Sequence, residues 1–148
     1  MSASVIAAVL DRLVTLTGVD AAFFDEAPMS NASGGIPEFP YVILHDDGTT
    51  PDYTEEYECV ESTRLRVEVY ANASNLESTV RLVKYGAGAY NAKQGMDFCH
   101  ASLTVTGQSI LSVVRQNEQR YLEKQRDGAG LLVYRCTISY LIQANLTA

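Results

Sequence analysis

The run from Ser62 to Asn91 limits the possible folds of this chain more than any other. It opens as STRLRVEVYA, in which Leu65, Val67, Val69 and Ala71 alternate with Arg64, Arg66, Glu68 and Tyr70. Strict period-two alternation is the pattern of a strand with one buried face. The chain continues as Ser74-Asn75-Leu76-Glu77, the spacing of a capping box, in which the Ser74 hydroxyl and the Glu77 carboxylate would each accept from the other's amide. Leu76, Val80, Val83 and Ala87 then recur at helical spacing, with Thr79 and Tyr90 beside the stripe. A half-buried strand that feeds directly into an amphipathic helix must bury two apolar faces against each other. The remaining segments read as additions to this sheet-plus-helix unit.

Before it, Ser4 to Thr17 forms a first helix on the pattern Val5, Val9, Leu13 with Ile6, Leu10 and Val14 alongside, and Gly18 is placed to end it. Ala21-Ala22-Phe23-Phe24 is a short extended segment, and Pro28 to Pro37 is a loop by composition. Pro40 to His45 (PYVILH) is a short strand apolar on both faces, as expected of a central position. After the helix, Asn91 to His100 is a connection with turn residues Gly95 and Asp97, and Leu103 to Thr106 is short and β-prone. Ile110 to Lys124 reads as a long strand whose alternation slips at Val113-Val114 and Tyr121-Leu122, the signature of a bulge or a sheet edge. Asp127-Gly128-Ala129-Gly130 turns it back into Leu131 to Gln143, where Leu132, Tyr134, Cys136, Ile138, Tyr140 and Ile142 share one face. The expected fold is α+β: an antiparallel-rich mixed sheet, two main helices packed on it and a long C-terminal hairpin. Its 148 residues make a single domain, 1–148, without internal repeats.

Composition removes several functions. The net charge of −7 argues against gripping a phosphate backbone. Three scattered cysteines, Cys59, Cys99 and Cys136, without C-x-x-C spacing, read as free thiols in a reducing compartment. With only His45 and His100, a histidine-based metal site is hard to build. The first apolar run, Val5 to Leu16, is interrupted by Asp11 and Arg12 and lacks a basic leader, so no signal peptide or membrane association is expected. No catalytic constellation is present. Asp97, Cys99 and His100 are the nearest approach to one, and adjacent residues of an extended segment point to opposite sides. Gly86-Ala87-Gly88 lacks the strand before it and the third glycine of a dinucleotide loop. The paired carboxylates Asp46-Asp47 and Glu55-Glu56 do not have calcium-loop spacing. No catalytic, cofactor or metal residue is therefore expected.

Charge patterning gives the candidate contact residues. Asp46 to Glu61 holds seven carboxylates with Tyr53 and Tyr57 among them, which suits either a solvated excursion or an arm that meets partners. Asp52, Tyr53, Glu55, Glu56 and Tyr57 are its interface candidates. On the C-terminal hairpin Arg115, Arg120, Lys124 and Arg126 cluster around Glu118 and Glu123, and Arg115, Arg120 and Arg126 are the opposing candidates. Surfaces of opposite charge on one chain favour a head-to-tail contact between copies, which closes into a ring when the rotation allows.

The order of segments, from about residue 4 to 144, resembles the tail terminator or tail-completion proteins of long-tailed bacteriophages and related head–tail joining proteins. The strings that carry the resemblance are F-P-Y-V at Phe39 to Val42, R-L-R-V-E-V-Y-A at Arg64 to Ala71 and the closing Y-R-C-T-I-S-Y-L-I-Q-A. The resemblance implies a non-enzymatic virion protein, assembled in the host cytoplasm. It would form a ring, usually a hexamer, on the last ring of tail-tube protein, stop tube growth and face the head connector or neck protein. DNA would pass the lumen without specific binding. A neck or connector adaptor and a tail-tube subunit remain alternatives within the same particle, and a cytosolic enzyme or ligand-binding domain is a third reading.

Overall fold

A computed structural model describes residues 2–17, 21–26, 38–53, 59–86, 95–97, 103–105, 107–126 and 130–146. Two helices and a five-stranded sheet follow in the order α1 (Ser2–Thr17), β1 (Ala22–Phe24), β2 (Tyr41–Tyr53), β3 (Cys59–Asn72), α2 (Leu76–Tyr85), β4 (Gln108–Arg126) and β5 (Leu132–Leu146). The sheet order is β1-β2-β3-β5-β4. Only β1 and β2 run parallel; every other neighbouring pair is antiparallel. The expected α+β class, with its mixed, mostly antiparallel sheet, is what the chain adopts.

The alternation in β3 does what it predicts. Leu65, Val67, Val69 and Ala71 are fully buried, and on β5 Cys136, Ile138, Tyr140 and Ile142 join them. These two strands form the centre of the sheet, paired from Val60–Asn145 to Asn72–Val133. Both helices pack on this face: α1 through Val5, Val9 and Leu13, α2 through Leu76, Val80 and Val83. Val42 and Leu44 come from β2, which lies second from the edge rather than central; Ile43, on its opposite face, is buried as well. Leu103 and Val105 close the core, and Val105 pairs with Gln108 through a single bridge.

Two local expectations are corrected. The capping box of Ser74 and Glu77 does not form. Asn72 takes its place: its side-chain oxygen accepts from the Ser74 amide (2.9 Å), the Ser74 hydroxyl (2.6 Å) and the Asn75 amide (3.1 Å). An Asn side chain at the end of a strand offers this turn at no cost in backbone geometry, and Glu77 is drawn off to Arg120. The second correction is length. The strand expected to end at His45 continues to Tyr53, passing a register shift between Asp46 and Thr49, where Gly48 turns with φ of 117°. The Gly48 amide donates to the Asp46 carboxylate there at 2.9 Å.

α2 ends at Gly86, whose φ of 90° only glycine adopts freely and whose amide still bonds the Leu82 carbonyl. The long strand is irregular as expected, but at other positions: the pairing is regular at Val113-Val114 and Tyr121-Leu122, and β4 shifts register between Ile110 and Ser112, Arg115 and Asn117, and Leu122 and Arg126. It is also an edge strand. Gly18, Ala87, Gly88, Tyr90, the loop from 28 to 37 and the turn at 127–129 lie outside the described residues.

Candidate assembly surfaces

Arg115 and Arg120 sit opposite Tyr140 and Cys136 in the β4–β5 register. Cross-strand partners share a face, so both arginines lie on the helix side of the sheet, where α2 reaches them. Arg120 forms a two-pronged pair with Glu77 of α2 (2.8 and 2.9 Å) and bonds Glu118 at 2.7 Å. Lys84, in the last turn of α2, meets Glu118 at 2.9 Å. Arg115 bonds Glu118 at 3.2 Å and lies 3.6 Å from Asp97, which accepts at 2.8 Å from the buried Tyr140 hydroxyl. Burial alone would raise the Glu118 carboxyl, yet the hydrogen bonds from Arg120 and Lys84 outweigh it and hold the group below its usual range. The Arg120 guanidinium is driven strongly upward by Glu77 and Glu118. Two of the three cationic candidates are therefore paired to acids of their own chain, and they fasten α2 to the sheet edge. The sequence shows the charges but not this pairing, since Glu77 and Arg120 are 43 residues apart.

The opposite face of the sheet carries no helix among the described residues, yet Glu68 is buried there. Its carboxylate accepts from the Tyr70 hydroxyl at 2.6 Å and lies 3.3 Å from His45, 3.5 Å from Arg66 and 3.9 Å from Arg135. Burial, with the adjoining Glu68, pushes the Tyr70 phenol up to about 12. Tyr70 stacks on Tyr41 and Tyr41 on Phe39, and Arg135 lies over the Tyr121 ring. Period two places Glu68 on the outer face but does not reveal this burial, which comes from side chains on β2, β3 and β5.

The acidic excursion begins as the far half of a β2–β3 hairpin, with Thr49 to Tyr53 paired to Thr63 to Cys59. Asp52 and Tyr53 are the last residues of β2, at the sheet end that also holds Ser109 and Asn145. The β4–β5 turn is at the opposite end. The backbone at Arg126 closes β4 against Leu132. Glu55, Glu56 and Tyr57 lie outside the described residues, as do Cys99 and His100.

Sequence reasoning passed over the exposed apolar side chains. Leu111, Val114, Tyr121 and Leu122 all project from β4, and Leu131 follows just before β5. The only other large apolar side chain exposed among the described residues is Phe24, on β1 at the far edge. Beside Leu122 a cleft of about 340 Å³ opens between the start of α2 and β4, lined by Ala73, Leu76, Glu77, Arg120, Leu122 and Tyr134. A second cleft of about 400 Å³ lies between α1 and Leu103–Thr104. Cys136 is buried behind the first, and desolvation pushes its thiol up to about 11, which leaves it a packing residue and not a nucleophile. Among the described residues no group of three or more His, Cys, Asp or Glu is placed to hold a metal ion. No helix there is long and apolar enough to cross a membrane.

No family model matches this chain, and no curated protein matches it by sequence. Its fold is similar to that of a chain in the solved structure "Virion of native gene transfer agent (GTA) particle", with a TM-score of 0.56 and 14% sequence identity over 96% of this chain and 93% of that one. The likeness is one of fold, and it spans nearly the whole of both chains.

Proposed function

We propose that this protein is a structural component of a phage-type particle that acts by assembly and carries out no reaction. Its station would be the head-proximal end of the tail tube. There a ring of copies, six by the family resemblance, would stop tube growth and join the tail to the head connector. The observation that carries this reading is the end-to-end fold likeness to a virion chain. Support also comes from the long exposed edge of β4 with its row of apolar side chains, a feature that soluble monomers ordinarily suppress. The acidic run with Asp52, Tyr53, Glu55, Glu56 and Tyr57, whose described part closes the β2–β3 pairing at one end of the sheet, would meet a neighbouring ring. The hairpin that holds Arg115, Arg120 and Arg126 would face the adjoining copy. A chain with net charge −7 lining the lumen would repel DNA and let it slide.

The test is to add the purified protein to growing tubes of the particle's tail-tube protein. One ring at the tube end and arrested elongation are the expected result. Unchanged tube lengths with bare ends would refute it. A neck adaptor or a tube subunit would appear in a map of the intact particle as density beyond the terminal ring or repeated along the tube.

A further inference from the structure

The exposed apolar side chains are divided between the two edges of the sheet. Phe24, 39% exposed, stands on β1, and Leu122, 57% exposed, stands on β4 beside the 340 Å³ cleft. Both lie on the helix side. Phe24 is in register with Leu44, and Leu122 with Tyr134, each a position whose side chain faces the helices. The strand directions also agree. β1 runs with β2, and three successive antiparallel pairings leave β4 running against it. Copies related by a simple rotation about an axis along the strands therefore bring β1 of one beside β4 of the next in antiparallel sense, with the helix sides aligned.

Following the register across the sheet, Phe24 lies level with Leu44, Val67, Ile138 and Glu118. The cleft starts two residues further along β4, at Arg120. That offset is roughly 7 Å to the near rim and about 13 Å to Leu122 at the usual strand rise, a stagger of the kind that tilted strands introduce when a sheet closes on itself. The sequence charges of the two edges are also opposite. Asp20 to Glu26 contains three carboxylates and no cation, whereas Leu122 to Arg126, beyond the internally paired Arg120, contains two cations and one carboxylate.

We infer that Phe24 of one copy docks into the cleft beside Leu122 of the next, making a head-to-tail contact between opposite sheet edges. The occupant is a second copy of this chain. A patch that fits a pocket elsewhere on the same molecule makes a heterologous contact, which can close into a ring. This rests on the ring reading above and adds to it the surface that makes the ring.

Single-cysteine variants F24C and L122C provide the test, mixed in equal amounts with tail tubes present and absent, oxidised, and compared with the wild type for background from its own cysteines. Cross-links should form in the mixture and not within either variant alone, and the double variant should give a ladder that ends at the ring size. Separately, F24D and L122D should keep the wild-type circular dichroism and lose at least tenfold in ring population by light scattering. Homotypic cross-links, wild-type assembly by both charged variants, or a wild-type chain that stays monomeric even on tubes would overturn the inference. If rings cap tubes but no F24C–L122C link forms, the docking contact fails and the terminator reading stands. Linked rings that ignore tubes would have the reverse meaning.

Discussion

Two glycines in this fold are required for different physical reasons, and replacing each by alanine separates them. Gly95 is buried directly under the last turn of α2. A Cβ there would come inside 3.0 Å of the Lys84 carbonyl carbon and oxygen and of the Tyr85 amide nitrogen, where ordinary contact begins near 3.4 Å. All three are backbone atoms, so no rotamer change relieves the clash. The turn they belong to is itself fastened, by the 2.9 Å Lys84–Glu118 pair and by the Gly86 amide bonded to Leu82. The alternative is for the 95–97 segment to lift, which would expose Met96, now fully buried, and stretch the Asp97–Tyr140 hydrogen bond. Overpacking of this kind costs about 3 kcal/mol, the upper part of the usual range, because both sides are rigid. For a domain of this size that is a fall in Tm of roughly 6–12 °C. Gly107, by contrast, has φ of 78° with nothing within 4 Å of a built Cβ. Gly107→Ala should cost only the left-handed backbone penalty, about 1–2 kcal/mol. Urea and thermal unfolding of both variants would measure the difference. Gly95→Ala within about 0.5 kcal/mol of wild type, the range of an unremarkable surface change, would refute the close approach of 95–97 to α2.

Other changes test other contacts. Tyr140→Phe removes a hydrogen bond to a carboxylate in the core and should lower stability by about 1.5–2 kcal/mol in urea unfolding. Glu68→Ala leaves Arg66, Arg135 and His45 around an empty site and should cost about 2–3 kcal/mol, less than a fully buried pair because the arginines are partly exposed. Arg120→Met breaks pairs that are largely exposed and should cost under about 1 kcal/mol in the isolated chain. Stability should also fall in alkali. Cys136 rises from 9.0 to about 11 and Tyr70 from 10.0 to about 12, so both stay protonated in the folded chain after their unfolded counterparts have ionised. Their contribution is intact below pH 9 and lost as pH climbs to 12, and Cys136→Ala should flatten the first part of that decline in a pH series of unfolding curves.

The parts of this fold that could be read from the sequence are those in which one face of one element is buried. β3 and β5 alternate because the helices cover one side of them, and α1 and α2 are striped for the same reason. What could not be read depends on partners far along the chain. Ser74 and Glu77 have the spacing of a capping box, but Asn72 makes a better local turn and Arg120, brought back by the β4–β5 hairpin, takes the carboxylate. Asp46 to Tyr53 has no alternation and is a strand only because β3 pairs with it. Glu68 looks like a surface residue until side chains from two neighbouring strands, His45 and Arg135, close over it. Of the interface candidates, Arg115 and Arg120 illustrate the same limit: charge is visible in a sequence, whereas the partner that neutralises it is not.

That limit bears on how copies associate. Among the described residues, the charges where α2 meets β4 are paired to one another, and on the outer face Arg66 and Arg135 lie around Glu68. Forming a contact by way of Arg115 or Arg120 would first break an existing pair, so these residues bring little net attraction. The unpaired resource of the surface is apolar: Phe24 at one edge, Leu111, Val114 and Leu122 along the other. An association driven by those side chains should persist or tighten as salt rises, because burial of apolar area is not screened and excluded salts strengthen it. One driven by the acidic arm against a cationic hairpin should weaken between about 0.1 and 1 M salt, as the Debye length shrinks from roughly 10 to 3 Å. Ring population by light scattering across that range distinguishes the two. A clear loss at 1 M sodium chloride would return the contact to the arm and Arg126, and would show that the exposed apolar edges serve a different partner.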